Sequence, residues 1–247
     1  LDAGHAGSLF GWRKEKNGGH AIPNCADRDN DQSIKISVAI LSHFNIPANQ
    51  TGPSNAGISL EHHVREGLAK HLNTIAPATP WLVERGRKIE DFRQYHHLKT
   101  VDELVKKSPA LRIAIGVDYR VKPDVTVAIP SQTPTEPYFL HAAISCKWTI
   151  RSDRVQNVRH EFNQMTRQRR GRQPHLVAVT AEPLPSRLVA IARGTGEVDA
   201  VYHVAFEAMK SAVESEGNND QKNAWSECVE QGRVLPYEEL PETLTRW

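Results

Sequence analysis

Two short segments hold the group types that hydrolysis of a phosphodiester would use. Pro123-Asp124 precedes the apolar run 125–129, and twenty-three residues beyond Asp124 stands Lys147, closing Ser145-Cys146-Lys147 on a second apolar run. If the two runs pair as strands, a carboxylate and an ammonium converge at one sheet edge. Carboxylate oxygens hold Mg²⁺, the metal neutralises charge on a scissile phosphate, and a Lys beside it orients or deprotonates the attacking water. One carboxylate holds Mg²⁺ weakly, so a second acid is required. Glu161 stands fourteen residues after Lys147, on the helix expected to leave the same strand. Turned inward it would supply that acid; turned outward it is a solvated helix residue. A lone Pro-Asp or Ser-Cys-Lys carries no weight, but charge adds some. Residues 147–172 hold eight basic side chains against Asp153 and Glu161, +6 in a chain whose total is +2. A local Arg-rich stripe in a near-neutral protein is the footprint expected for a phosphate backbone, with a solvated basic helix as the plain alternative.

The elements that must position these groups follow from periodicity. Apolar residues over 30–44 predict a helix after the polar segment 27–31. Leu60, Val64, Leu68 and Leu72 recur at four-residue spacing and predict a helix over 58–72, with Ser59 as its cap. Residues 46–56 are rich in Pro, Gly, Asn and Ser and read as a loop. A short helix is expected at 101–105, then strand, turn, strand over 117–129 around Pro123. A strand over 139–150 puts Ala142, Ile144, Cys146 and Trp148 on one face, so Trp148 is expected in the core. A helix over 152–169 capped by Ser152 follows. Further strands are expected at 176–181 and 198–204, helices at 185–192 and 207–215, and a polar loop at 215–221. Strands alternating with helices predict an α/β fold (α+β being the alternative) with one central sheet, kept as one domain over 1–247.

Composition excludes several classes. Hydrophobic residues make up 39% of 247, enough for a sizeable core. No apolar run reaches membrane-spanning length, so no membrane partner is expected. Cys25, Cys146 and Cys228 form neither a disulfide framework nor a zinc cluster, which fits a reducing cytoplasm. The pairs His62-His63 and His96-His97 point to different helix faces and are not expected to share a metal. A chain opening on Leu1 is expected to lack its true N-terminus.

The string Ser145-Cys146-Lys147-Trp148-Thr149-Ile150-Arg151-Ser152-Asp153-Arg154, followed by Gln156-Asn157 and Arg159, resembles the NgoMIV-type restriction endonucleases, which cut sites with a CCGG core. So does Thr180-Ala181-Glu182-Pro183, running through Pro185-Ser186-Arg187 to Gly194-Thr195-Gly196-Glu197 and Val201-Tyr202-His203. Weaker similarity touches Leu60-Glu61, Gln94-Tyr95, His97-Leu98, Asp118-Tyr119 and Pro123-Asp124, so the likeness spans most of the chain. It implies a restriction-endonuclease-like central mixed sheet flanked by helices, and a bacterial, cytoplasmic type II enzyme of the PD…(D/E)XK kind acting on double-stranded DNA. By position, Asp124 matches the central metal carboxylate and Lys147 the catalytic Lys. Ser145 stands where related nucleases have Glu, and Glu161 matches the displaced acid. Glu61 matches a further acid near the site, and the backbone carbonyl of Cys146 a ligand to Mg²⁺, expected as a pair of ions. Arg151, Asp153 and Arg154 match the side chains that read CCGG in the major groove. Chemistry agrees: Arg is bidentate to G O6 and N7, and Asp accepts from the C N4 amino group. Arg159, Arg167 and Arg169 are expected on the DNA backbone.

Two departures from the family bear on specificity and assembly. Where relatives read the outer base pair with a Ser, the matching position is Asp29, an acid that could change the base accepted; Gln50 matches a second outer-base contact. The expected target is a palindrome, GCCGGC-like or with other outer pairs, cut to leave 5′ overhangs. The connection between the two catalytic strands is shorter than in the family, where it helps pair dimers into a tetramer. A homodimer is therefore expected, with a tetramer open. Two other classes stay open as well. One is a repair or recombination nuclease that reads DNA structure, against which the Arg151, Asp153 and Arg154 trio speaks. The other is a catalytically silent DNA-binding protein, against which Asp124, Lys147 and Glu161 speak.

Overall fold

The computed structural model describes residues 3–13, 21–131, 133–193 and 196–246, and of residues 3–5 and 152–154 the backbone alone. In chain order the elements are α1 (Ala3–Leu9), β1 (Trp12–Arg13), β2 (Ile22–Pro23), α2 (Asp31–His43), α3 (Ala56–Ile75) and β3 (Leu82–Arg85). Then come α4 (His97–Lys107), α5 (Pro109–Ile115), β4 (Val125–Ile129), β5 (Phe139–Lys147), α6 (Ser152–Gln168) and β6 (His175–Thr180). The chain ends with α7 (Pro185–Ala192), β7 (Ala200–His203), α8 (Phe206–Glu216), α9 (Asn219–Glu230), β8 (Val234–Pro236) and α10 (Leu240–Arg246).

One six-stranded sheet carries the fold, in the order β3-β4-β5-β6-β7-β8. β3, β4 and β5 run antiparallel; β5 to β8 run parallel. This is the mixed sheet flanked by helices that was expected. Parallel pairs need crossovers, and α6 joins β5 to β6 while α7 joins β6 to β7. Seven consecutive residues of β5 are buried, so both of its faces are covered. The α3 stripe predicted from sequence packs on the first three strands, with Leu60, Val64, Leu68 and Leu72 fully buried. Each such side chain contributes about 2 kcal/mol.

Caps decide several boundaries. Asn30 caps α2 by accepting from the Ser33 amide at 2.9 Å. Asn55, not Ser59, caps α3: its Oδ1 accepts from the Ile58 amide, and the Ser59 hydroxyl donates to the Asn55 carbonyl instead. The N-cap residue of α6 is Arg151 rather than Ser152. Asn218 caps α9, leaving only residues 217–218 of the loop expected at 215–221. Residues 117–122 form no strand. Tyr119 and Arg120 donate to Asp102 of α4 at 3.1 and 2.7 Å, which draws that segment off the sheet. β5 stops at Lys147. Trp148 leaves the ladder and turns into the core, its ring 4.9 Å from Phe10 and its indole N–H on the Asn24 carbonyl. No helix among the described residues is long and apolar enough to cross a membrane.

Candidate active site

The pairing of β4 with β5 brings the two sequence segments together. Val125 lies opposite Ile144, so Asp124, one residue before the strand, falls beside Ser145 and Cys146. Its Oδ2 accepts from the Cys146 amide at 2.7 Å, the Lys147 ammonium at 2.8 Å and the Ser145 hydroxyl at 3.4 Å. Ser145 thus donates to the carboxylate where an acid would repel it. Asp124 and Lys147 are both about three-quarters buried, at 24% and 22% exposed, which weakens solvent screening of the pair. In an extended strand the N–H and C=O of one residue point the same way. The Cys146 carbonyl therefore shares the Asp124 side of β5, where β4 has no residue left to pair with it. The Cys146 thiol is buried, and burial followed by the Asp124 charge holds it well above the ordinary thiol range. It remains a neutral thiol, neither nucleophile nor thiolate ligand.

Glu161 lies on α6, half-buried and within electrostatic reach of Lys147 and Asp124. Burial raises its carboxyl above the usual range; the Lys147 charge opposes that rise and the Asp124 charge adds to it. Glu61, on α3, meets Arg85 of β3: the guanidinium donates to Glu61 Oε2 at 2.5 and 3.2 Å and touches His62 Nε2 at 2.6 Å. Arg85 is the site residue that sequence reasoning missed. It belongs to a four-residue strand, Leu-Val-Glu-Arg, with no alternation to mark it. Gly86 follows in the left-handed region (φ +63°), and its amide donates to the Asp124 carbonyl at 3.1 Å. A side chain there would be strained and would crowd Lys122 Cε at 3.0 Å. That glycine lets β3 end beside Asp124. Among the described residues, no three His, Cys, Asp or Glu side chains gather closely enough to hold a metal by themselves.

The segment expected to read bases begins at Arg151, four residues past the end of β5. Arg151 is exposed with an extended backbone, and it lies close enough to Asp27 to help lower that carboxyl, after the larger effect of Arg187. The side chains of Asp153 and Arg154 lie outside the described residues, though α6 places both in its first turn. Asp29 is exposed, and its amide donates to Asp27 Oδ1 at 3.3 Å. Arg151 and the loop bearing Asp29 are therefore neighbours. Gln50 is turned to α1, its Nε2 on the Gly7 carbonyl at 3.1 Å. Of the expected backbone contacts, Arg167 is exposed, while Arg159 pairs with Glu197 at 3.1 Å. Arg169 bonds the Thr166 carbonyl, and its Nε is buried without a partner.

Comparison with known proteins bears on this arrangement. A family model described as the NgoMIV restriction enzyme matches residues 12–134 and 128–245. The type II restriction enzyme NgoMIV of Neisseria gonorrhoeae is 32% identical over 250 residues, covering 87% of each chain. Among solved structures, a pre-specific restriction endonuclease BsaWI–DNA complex aligns with 78% of this chain and 62% of that one, at 11% identity and a TM-score of 0.35. The family match spans nearly the whole chain and includes β4, β5, α6 and the segments around Asp29 and Gln50: the chain belongs to the NgoMIV family of type II restriction endonucleases.

Proposed function

We propose that this endonuclease hydrolyses both strands of a palindrome with a CCGG core, using Mg²⁺ where the start of β4 meets the end of β5. The observation that carries the reading is one carboxylate oxygen, Asp124 Oδ2, holding the Lys147 ammonium and the Cys146 amide together. The resemblance adds the Glu161 carboxylate, which lies within electrostatic reach of Asp124, and the Cys146 carbonyl, so the donor set consists of oxygens. Mg²⁺ prefers such a set and keeps several of its waters, so two carboxylates and a carbonyl suffice without a three-acid cluster. Bound there, Mg²⁺ supplies charge neutralisation for the phosphate and acidifies a water. The Lys147 ammonium would orient the attacking water by donating a hydrogen bond to it. Glu61 is held by Arg85 at the margin of the site. Ser145 keeps Asp124 oriented.

Base reading falls to Arg151, Asp153 and Arg154 at the start of α6, supported by their resemblance to the CCGG readers and by their donor and acceptor chemistry. Asp29 and Gln50 contribute at the outer pair. Arg159, Arg167 and Arg169 would serve the backbone, with Arg167 the best disposed by its exposure. A palindrome calls for two active sites about a two-fold axis, hence a homodimer. The β4–β5 connection, residues 130–138, favours that smaller assembly. It bears Pro130, Pro134 and Pro137 and is pinned by the Arg93 amide on the Tyr138 carbonyl at 2.9 Å.

Digestion of plasmids of known sequence, with and without Mg²⁺, followed by sequencing of fragment ends, tests the reading. Cleavage should require the divalent ion, and every end should map to a CCGG-containing palindrome. Ends at sites without that core would overturn the specificity, and equal cutting in chelator would overturn the metal.

A further inference from the structure

Glu182 stands just beyond β6, beside the segment that leaves β5. Lys147 pairs with Thr180 across the parallel ladder, so the two chain ends emerge side by side. Glu182 is fully buried, at 0% exposed. Its Oε2 accepts from the Ile150 amide at 2.6 Å, and its Oε1 accepts from the Leu184 amide at 3.1 Å. The Arg187 guanidinium approaches the same Oε1 at 3.7 Å and bonds Asp27 Oδ2 with its other nitrogen. Asp27 in turn holds the Asp29 amide. One sealed carboxylate therefore touches the residue before Arg151 and, through Arg187, the loop that carries Asp29.

A buried carboxylate costs several kcal/mol to desolvate and persists where its contacts answer a need. Turns after strands rarely require one, because backbone amides can be satisfied by neutral groups. Here the acid lies between two segments assigned to base reading. We propose that Glu182 is a positioning residue for DNA specificity, holding the Ile150 backbone and the Arg187 guanidinium in one fixed relation. The proposal rests on the assignment of Arg151 to base reading. Glu182 does not reach the Asp124 site through any described contact, so its effect is expected on discrimination rather than on the chemical step.

The charged and titratable groups around it are Arg187 from α7, Asp27 and Cys25 from the N-terminal segment, Arg151 before α6, and His203 on β7, whose Nε2 donates to the Glu182 carbonyl at 3.2 Å. Burial pushes the Cys25 thiol up to about 12 and His203 down to about 4, and Arg187 holds Asp27 low. Burial pushes Glu182 itself up to about 7. Between pH 6 and 8 Glu182 is then the member of this set that titrates.

The test compares kcat/KM for a cognate plasmid site with kcat/KM for a site changed at one base. Their ratio does not depend on how much of a preparation is folded. Glu182→Gln keeps the shape but presents an NH₂ to either the Ile150 amide or the Leu184 and Arg187 donors, so one contact must break. The ratio should fall about tenfold or more, and Glu182→Asp should recover part of the loss. A merely structural role would lower the melting temperature and the active fraction and leave the ratio untouched; that result overturns the proposal. Arg151→Ala is run alongside. If it lowers the ratio and Glu182→Gln does not, Glu182 is not the positioning group. If Arg151→Ala leaves the ratio unchanged, the base-reading assignment fails and the proposal with it. Should both Glu182 variants prove unfolded by circular dichroism, the unmodified enzyme decides. Its ratio should fall from pH 8 to pH 6 as the carboxyl takes up a proton, and a flat ratio overturns the proposal.

Discussion

Asp102 and Asp124 each collect three donors, and the two clusters behave as opposites. Asp102, on α4, is buried and accepts from Tyr119 at 3.1 Å, Arg120 at 2.7 Å and Lys106 at 2.6 Å. The Lys106 hydrogen bond, followed by those of Arg120 and Tyr119, holds its carboxyl down at about 2 in spite of burial. Two cations there answer one acid, and every partner lies within eighteen residues of Asp102. Asp124 receives one cation, one amide and one hydroxyl. Nearby stand Glu161, raised by burial, and Glu61, matched by Arg85. The first cluster is electrostatically closed and pins a loop. Among the described residues the second has three acids, Asp124, Glu161 and Glu61, to two cations, Lys147 and Arg85. The excess of acid at the ends of β4 and β5 suits a bound cation, whereas the excess of cations around Asp102 does not.

The sharpest break of that comparison is Lys147→Ala. It removes the cation on Asp124 and the group proposed to orient water, so cleavage should slow by about a thousandfold or more, roughly 4 kcal/mol. Specific binding to a cognate duplex should persist, because Lys147 faces the acids and not the recognition segment. Near-parent cutting would remove Lys147 from the mechanism. Glu161→Gln should be nearly as damaging, since an amide adds no charge toward Mg²⁺. Raising the Mg²⁺ concentration should recover part of its rate but none of the rate of Lys147→Ala. The same response to metal in both variants would contradict the separate roles given to them.

Arginines on α6 divide along the same line. Arg154→Ala should weaken binding to a CCGG duplex by about 1–3 kcal/mol and flatten discrimination. Arg167→Ala should weaken binding to all sequences alike and reduce the salt slope by about one unit. Equal losses on specific and random DNA for both changes would dissolve the distinction. In the closed cluster, Asp102→Ala should cost about 2 kcal/mol of stability. That is below the range for a fully buried pair, because Lys106 and Arg120 are 65% and 42% exposed. Denaturant titration measures the cost. A reduced cleavage rate per folded molecule would show that this cluster is coupled to the site after all.

Legibility in the sequence followed contact range. The α3 stripe, β4, β5 and the crossover helix α6 carry their own periodicity, so both catalytic strands and the place of Glu161 on α6 are legible in the order of residues alone. Caps are harder, because Ser59 and Asn55 compete on equal chemistry and only the backbone direction decides between them. The expected strand over 117–122 was lost to Asp102, the ion-pair partner of Arg120 eighteen residues earlier in the chain, which no alternation pattern signals. β3 and β8 have four and three residues, too few for a period to show. Arg85 and Glu182 went without roles for the same reason. Their meaning comes from partners supplied by other elements, Glu61 in one case and Ile150 in the other.

The smallest predicted effect concerns acid stability, and it separates the sealed Glu182 from the open Asp124. His203 is fully buried. Its Nε2 donates to the Glu182 carbonyl at 3.2 Å and its Nδ1 accepts from the Ala205 amide at 3.2 Å, which defines the neutral tautomer. Burial lowers it to about 4, from an ordinary value of 6.5. The unfolded chain therefore binds an extra proton at His203 between those values, and its stabilising contribution, complete above pH 6.5, is lost as pH falls toward 4. Glu182 acts in reverse. It is raised from 4.5 to about 7, so the folded chain holds the extra proton and stability falls as pH rises across that interval. Between pH 4.5 and 6.5 the two slopes oppose each other, each about 1.4 kcal/mol per pH unit. Glu182→Gln removes one of them. The variant should then lose stability on acidification more steeply than the parent by about that amount per unit. Urea titrations of both proteins at pH 5 and pH 6 measure the difference, and parallel pH profiles would show that Glu182 is ionised throughout. Glu161 serves as the control: it is raised by the same cause but is only half-buried beside Lys147, so Glu161→Gln should change the slope less.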